Sequence, residues 1–270
     1  MCSQLGVSSA GFYAWRRRPI CAMRLRHMQL LALIELIHTQ SWGTYGVPRM
    51  HAELAAMKVP VSPGQIERLM RREGLQGVTR RKNKSTTRRG KNATLAPDLV
   101  DRAFDAPCPD RLWVADFTYV RTDEGFAYVA GIQDVCSRVI VGYNVTERMT
   151  VDLVLTAFRS AQRRRRPARG LVHHSDQGSQ YTALRFSQAL VDAGVSASMG
   201  SVGDAFDNAM AESWIGTLKA ECLNGKHFAT RDEVALAVFH YVEAWYNPRR
   251  RHTRLGMLSP LDYERSLTAA

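Results

Sequence analysis

A chain of 270 residues in which 45% are hydrophobic has enough apolar side chain for a buried core, and charges of both signs abound, which excludes a disordered tail. The 37 Lys and Arg outnumber the 25 Asp and Glu to give a formal net charge of +12, a basic balance that favours polyanions, nucleic acid first. Five scattered cysteines (Cys2, Cys21, Cys108, Cys136, Cys222) form no C-x-x-C pair, so a zinc framework or disulfide scaffold is excluded and reduced thiols are expected.

The N-terminal stretch MCSQLGVSSAGFYAWRRRP has no apolar core long enough for a signal peptide and reads as a short helical piece with a basic end. The most apolar run, MQLLALIELI, is broken by Glu35 and is half the roughly 20 residues a spanning helix requires. No membrane partner and a cytoplasmic location are therefore expected.

Three helix patterns follow: QLLALIELIHTQ, PRMHAELAAM and PGQIERLMRREG. The third is bounded by Ser62 as N-cap, Pro63 as first helical residue, Gln65 completing an S-x-x-Q capping box and Gly74 at the C-terminal end. Ile66, Leu69 and Met70 face a core and leave Arg68, Arg71 and Arg72 outside. Three short helices with a basic last member suggest a helix-turn-helix that touches DNA; the alternative is a small bundle with solvated arginines. The run TRRKNKSTTRRGKN, which includes Arg80, Arg81 and Lys82, reads as a linker whose cations either contact phosphates or are merely solvated.

From Leu112 the pattern turns to strands: LWVADFTYV, FAYVAGIQDV and RVIVGYNV form an antiparallel meander. A helix from Thr150 to Arg163, the strand GLVHHSD, the helix TALRFSQALVDAG, the strand VSASM and two long helices, DNAMAESWIGTLKAEC and TRDEVALAVFHYVEAWYN, complete the order. An α/β class is expected, a mixed five-stranded sheet with flanking helices preceded by a small all-α domain.

Alternation on the first strand puts Trp113, Ala115, Phe117 and Tyr119 on one face and Val114, Asp116, Thr118 and Val120 on the other. Asp116 thus points to a mostly buried face, where a carboxylate must be hydrogen-bonded, paired with an arginine or metal-bound. Asp176 ends the strand GLVHHSD. In the first long helix Ala211, Trp214, Ile215 and Leu218 form an apolar stripe, while Asn208, Glu212 and Lys219 fall on another face with Gly216 between the last two. Three acids on a strand, a strand end and a helix make an open Mg²⁺ site. Two such ions, roughly 3.5 to 4 Å apart, would activate the attacking oxygen and stabilise the leaving one at phosphorus. His173 and His174 read as structural groups before ligands, Asp134 as a turn cap before a site residue, and Asp207 as the N-cap of the helix that carries Glu212.

Taken together, WVADFTYV, DVCSR, HHSDQGSQYT, GDAFDNAMAESWIGTLKAE and WYNPRRRHTRLGMLSPLDYE resemble the DDE transposases of insertion sequences, over nearly the whole chain. More narrowly the chain resembles the downstream-frame product of the insertion-sequence family numbered three. That resemblance implies a ribonuclease-H-like core similar to retroviral integrase, with Asp116, Asp176 and Glu212 as catalytic metal ligands for two Mg²⁺, or Mn²⁺. The last two acids are separated by 35 residues, and a basic residue, Lys219, stands seven beyond the glutamate. It also implies a DNA contact by Lys219 and supports one by Arg68, Arg71 and Arg72 of the helix-turn-helix. DNA contacts by Asn208, on the face of Glu212 and Lys219, and by Arg80, Arg81 and Lys82 of the basic run are expected from helix spacing and charge. The expected partners are DNA ends and target DNA, further copies of the chain on that DNA, and an upstream-frame product as fusion or partner. No His-His-Cys-Cys motif occurs near the N-terminus, so no structural zinc is expected. The domains expected are an N-terminal helical segment 1–28, a helix-turn-helix-like domain 29–78, a basic linker 79–108 and an integrase-like core with a C-terminal helical extension, 109–270. A strand-transferring transposase, a hydrolytic nuclease of the same fold and a non-catalytic DNA-binding repressor are the competing functions. The intact acid triad argues against the last.

Overall fold

The computed structural model describes residues 2–78, 98, 100, 105–200 and 208–269. The chain divides into two compact units, 1–77 and 78–270.

In the first unit, α1 (Ser9–Arg17) is capped by Ser8 and buries no side chain. Helices α2 (Ala22–Gln40), α3 (Val47–Ala56) and α4 (Pro63–Arg72) enclose a small core of Leu30, Ile34, Ile37, Met50, Leu54, Ile66, Leu69 and Met70. Helix α2 begins seven residues before the predicted start and so runs through the expected 28/29 boundary. The ends of α4 fall as its sequence requires. Ser62 Oγ accepts the Gln65 N–H at 3.3 Å, and Gly74 takes a left-handed φ of +68° that lets the Leu75 N–H reach the Met70 carbonyl.

The second unit is built on a sheet of order β3-β2-β1-β4-β5. Strands β1 (Leu112–Thr122), β2 (Gly125–Asp134) and β3 (Ile140–Thr146) form the antiparallel meander, and β4 (Val172–Ser175) and β5 (Ser196–Met199) add parallel to β1. One face carries Trp113, Ala115, Ala130 and Ile132 against α5 (Val151–Arg165) and α6 (Leu184–Asp192). The opposite face carries Leu112 and Val114 against Met210 and Ala211 of α7 (Ala209–Leu218). The alternation read from the sequence therefore holds, and it divides the sheet into two cores with Asp116 on the α7 side.

The two long helices are each shorter than expected. Helix α7 passes into a π-helical turn over Lys219–Leu223, and α8 (Arg231–Phe239) into another over His240–Tyr246. A last helix, α9 (Pro260–Thr268), starts at Ser259, whose hydroxyl accepts the Asp262 N–H. Among the described residues no helix is long and apolar enough to cross a membrane.

Candidate active site

Parallel pairing sets Ala115 opposite Ser175, so the chain brings Asp116 and Asp176 side by side one residue later, where β4 ends. β4 stops there because the chain turns. Asp176 Oδ1 accepts the Gly178 N–H at 2.9 Å, and the Tyr181 and Thr182 N–H groups return to the Gly178 carbonyl. A Cβ on Gly178 would stand 2.9 Å from Asp176 Oδ1, so a side chain there would crowd that carboxylate.

Asp116 is half-buried and accepts one backbone N–H, that of Phe117, at 2.8 Å. Burial raises its pKa first, the neighbouring Asp176 adds to the rise and Glu212 adds less, while the Phe117 N–H and Lys219 oppose them; the outcome is about 7. Glu212 is exposed on the first turn of α7. The helix is held over β1 and β2 by Trp214, which packs against Gly131, and by Asn208 Nδ2, which donates to the Ala115 carbonyl at 3.3 Å.

Among the described residues no three His, Cys, Asp or Glu side chains already form a metal-ligand group. The donor set nevertheless suits a hard divalent cation: it is all carboxylate oxygen, and Asp116 is held partly protonated near neutrality by burial and by negative neighbours. A cation between Asp116 and Asp176 would remove that cost, with Glu212 available from the helix.

Lys219 closes α7 with its Nζ 5.9 Å from the Tyr119 ring centroid, and its charge reaches Asp116. It stands at the site. Asn208, expected at a DNA-facing position, is buried, and its amide ties the helix start to β1. It also takes the N-cap position expected of Asp207, without a side-chain capping bond, and Asp207 lies outside the described residues. The arginines of α4 have local acceptors: Arg68 Nε donates to the Gly64 carbonyl, Arg71 pairs with Glu67 at 2.6 Å and Arg72 with Glu73 at 2.8 Å. All three are exposed. Arg80, Arg81 and Lys82 lie outside the described residues.

His173 and His174 belong to the core. Phe158 and Phe186 pack their rings at 5.7 and 5.3 Å from that of His173, burial holding its pKa down at about 3, and His174 Nδ1 lies 2.9 Å from Ser198 Oγ. Asp134 caps its turn, accepting from the Ser137 N–H and hydroxyl and from the Asp110 N–H. One residue beside the acids went unread in the sequence. Tyr181 is buried, its hydroxyl has no hydrogen-bond partner among the described residues, and after burial itself Asp116 and Asp176 are what hold its pKa up. Its position five residues after Asp176 on the same turn was the available signal.

Comparison with known proteins agrees with this architecture. An integrase core domain model matches residues 106–205, a second integrase core domain model matches 193–260, and an HTH-like domain model matches 26–83. The transposase for insertion sequence element IS629 of Shigella sonnei is 42% identical, across 100% of this chain and 92% of that protein. The insertion element IS600 uncharacterized 31 kDa protein of Shigella sonnei is 40% identical across 96% of each. Transposase InsF for insertion sequence IS3A of Escherichia coli (strain K12) is 34% identical across 98% of this chain and 92% of its own length. Identity at these levels from end to end means that the chain belongs to the IS3 family of insertion-sequence transposases, enzymes with an integrase catalytic core.

Proposed function

We propose that the chain cleaves DNA strands at the ends of its insertion element and joins them to target DNA, with Asp116, Asp176 and Glu212 holding the metal for phosphoryl transfer. The observation that carries this is Asp116, a carboxyl beside Asp176, pushed up to about 7 by burial, by Asp176 and, less, by Glu212, with the Phe117 N–H and, least, Lys219 against them. Such a carboxylate is costly unless a cation joins it. Two Mg²⁺ ions, or Mn²⁺ in their place, would supply an activated oxygen nucleophile and neutralise charge at the scissile phosphate.

The chain's own residues supply position. Asp116 is fixed within β1 and Asp176 just past the end of the adjacent β4, and Glu212 approaches from a helix held down by Trp214 and Asn208. The Lys219 ammonium orients the DNA end. The HTH-like unit and the basic run at Arg80, Arg81 and Lys82 add phosphate contacts, and Arg68, Arg71 and Arg72 exchange their local acceptors for phosphates. Joining two element ends to one target requires more than one active site, so the chain acts as a homo-oligomer on DNA, with an upstream-frame product as fusion or partner.

The test is cleavage of labelled element ends by Asp116→Asn, Asp176→Asn and Glu212→Gln beside DNA binding by the same variants. All three should lose cleavage and keep binding. Near-normal cleavage by any one of them removes that residue from the site.

A further inference from the structure

β4 pairs with β1 only over Leu112–Ala115 and β3 pairs with β2 only as far as Tyr128, so β1 and β2 run on from the Tyr119–Tyr128 pair as a two-stranded ribbon. On that ribbon Tyr119 stands directly opposite Tyr128, and Phe126 lies two residues before Tyr128 on the same face. The three rings form one cluster. Tyr119 and Phe126 meet edge to face at 5.3 Å, and each lies 6.4 Å from Tyr128. Cross-strand pairing accounts for these contacts but not for the exposure, since Tyr119 keeps 59% of its surface in water and Phe126 keeps 46%.

Cations border the rings. Arg121 is exposed and directly opposite Phe126, and Lys219 Nζ lies 5.9 Å from the Tyr119 centroid while its charge reaches Asp116. The acids at the ribbon tip are already engaged: Asp123 lies 2.9 Å from His227 Nε2, and Glu124 accepts the Arg231 backbone N–H at 3.0 Å. The patch is therefore aromatic and cationic; its rings lie on the sheet face opposite Asp116, and Lys219 links the two.

We propose that this ribbon is a stacking platform for unpaired bases of single-stranded DNA leaving the active site, an inference that rests on the function proposed above for the identity of the nucleic acid. A duplex hides base faces within its own stack, so exposed rings gain contact only with bases that have left it. Aromatic faces accept any base, and the flanking cations meet the phosphates between them. Lys219, reaching Asp116 on one side and Tyr119 on the other, sets the first stacked base beside the scissile phosphate.

The test uses the full chain in EDTA, so that binding is read without cleavage. Fluorescence anisotropy compares a blunt duplex, the same duplex with a dT tail of about five nucleotides, and the same tail made of abasic residues. Stacking should tighten binding to the dT tail by at least about fivefold over the blunt probe, with no such gain for the abasic tail. The Tyr119→Ala/Phe126→Ala double variant should lose the gain, and Tyr119→Trp/Phe126→Trp should keep it. Both side chains are exposed, and melting curves check that each variant is folded. A gain that persists in the alanine variant, an equal gain for the abasic tail, or no gain in the parent protein overturns the platform. None of these outcomes depends on whether the carboxylate variants lose cleavage, so the two proposals fail separately.

Discussion

Trp214 packs so closely on Gly131 that a Cβ at that glycine would stand 2.0 Å from the indole Cζ2. Gly131 is also the residue directly opposite Asp116 across the β1–β2 pair. The indole therefore sets the height of α7 above the sheet at the level of the carboxylate. Glu212, two residues earlier on the helix, stands off the packed face and inherits that height.

Gly131→Ala should push Trp214 outward and carry Glu212 with it. Overpacking of this kind costs about 1–3 kcal/mol, which chemical denaturation would read, and end cleavage should fall by at least about tenfold. A variant that cleaved normally would show that the height of α7 does not govern the site.

Asp116 gives a pH dependence. Its carboxyl rises from 3.8 to about 7 in the folded protein, so folding favours the protonated form. That contribution to stability is complete below the unfolded value, is lost as pH rises through the window from about 4 to about 7, and stays lost above it. Asp116→Asn does not titrate. In EDTA it should melt higher than the parent at pH 8 and level with it at pH 4, and Mg²⁺ should raise the parent at pH 8 but not the variant. An equal metal response in both would remove Asp116 from the metal site.

The Glu221–Arg250 pair offers a stability test away from the site. Both side chains are 5% exposed, the guanidinium meets both carboxylate oxygens at 2.6 and 2.7 Å, and the Tyr241 hydroxyl donates to the same carboxylate. Removing one partner strands the other, so Glu221→Gln and Arg250→Met should each cost about 3–5 kcal/mol, and the double variant should recover part of it. Simple additivity in thermal melts would refute the pairing.

The acids and strands were legible because their signals are local. Alternation over LWVADFTYV put Asp116 on the α7 face, the end of the apolar run GLVHHSD marked Asp176, and Glu212 was singled out by the family resemblance. What fixes those elements relative to one another was not legible, because pairings between distant side chains leave no period. Asn208 reaches back 93 residues to Ala115, and the Asn247 amide both donates to and accepts from Ile140 across 107. Nor does apolar spacing mark where α7 and α8 widen into π turns. Helix α9 went unread although Ser259-Pro260-x-Asp262 repeats the start signal of Ser62-Pro63-x-Gln65.

The basic run gives a salt test. Each phosphate contact contributes roughly 0.9 to the slope of log affinity against log salt on duplex DNA. Replacing Arg80, Arg81 and Lys82 with alanine should flatten that slope by up to about three such increments. An unchanged slope would make the run a solvated spacer.

Lys219 gives the last prediction. On an α-helix, seven residues at about 100° each return Lys219 to within roughly 20° of Glu212, about 10 Å further along the axis. Lys219 keeps helical dihedrals as the C-cap of α7 and opens the π turn, the Asn224 N–H bonding to its carbonyl. The ammonium thus shares the face of Glu212, next to Tyr119 and within electrostatic reach of Asp116. On the function proposed above, Lys219 should orient substrate without transferring a proton. Lys219→Ala should weaken binding of element ends and slow cleavage by about tenfold or more, while Lys226→Ala, an exposed lysine off that face, should do neither. Lys219→Arg should recover end binding, because the charge returns. Equal and small effects at positions 219 and 226, in end binding and in single-turnover cleavage alike, would leave Lys219 as a surface cation with no part in the reaction.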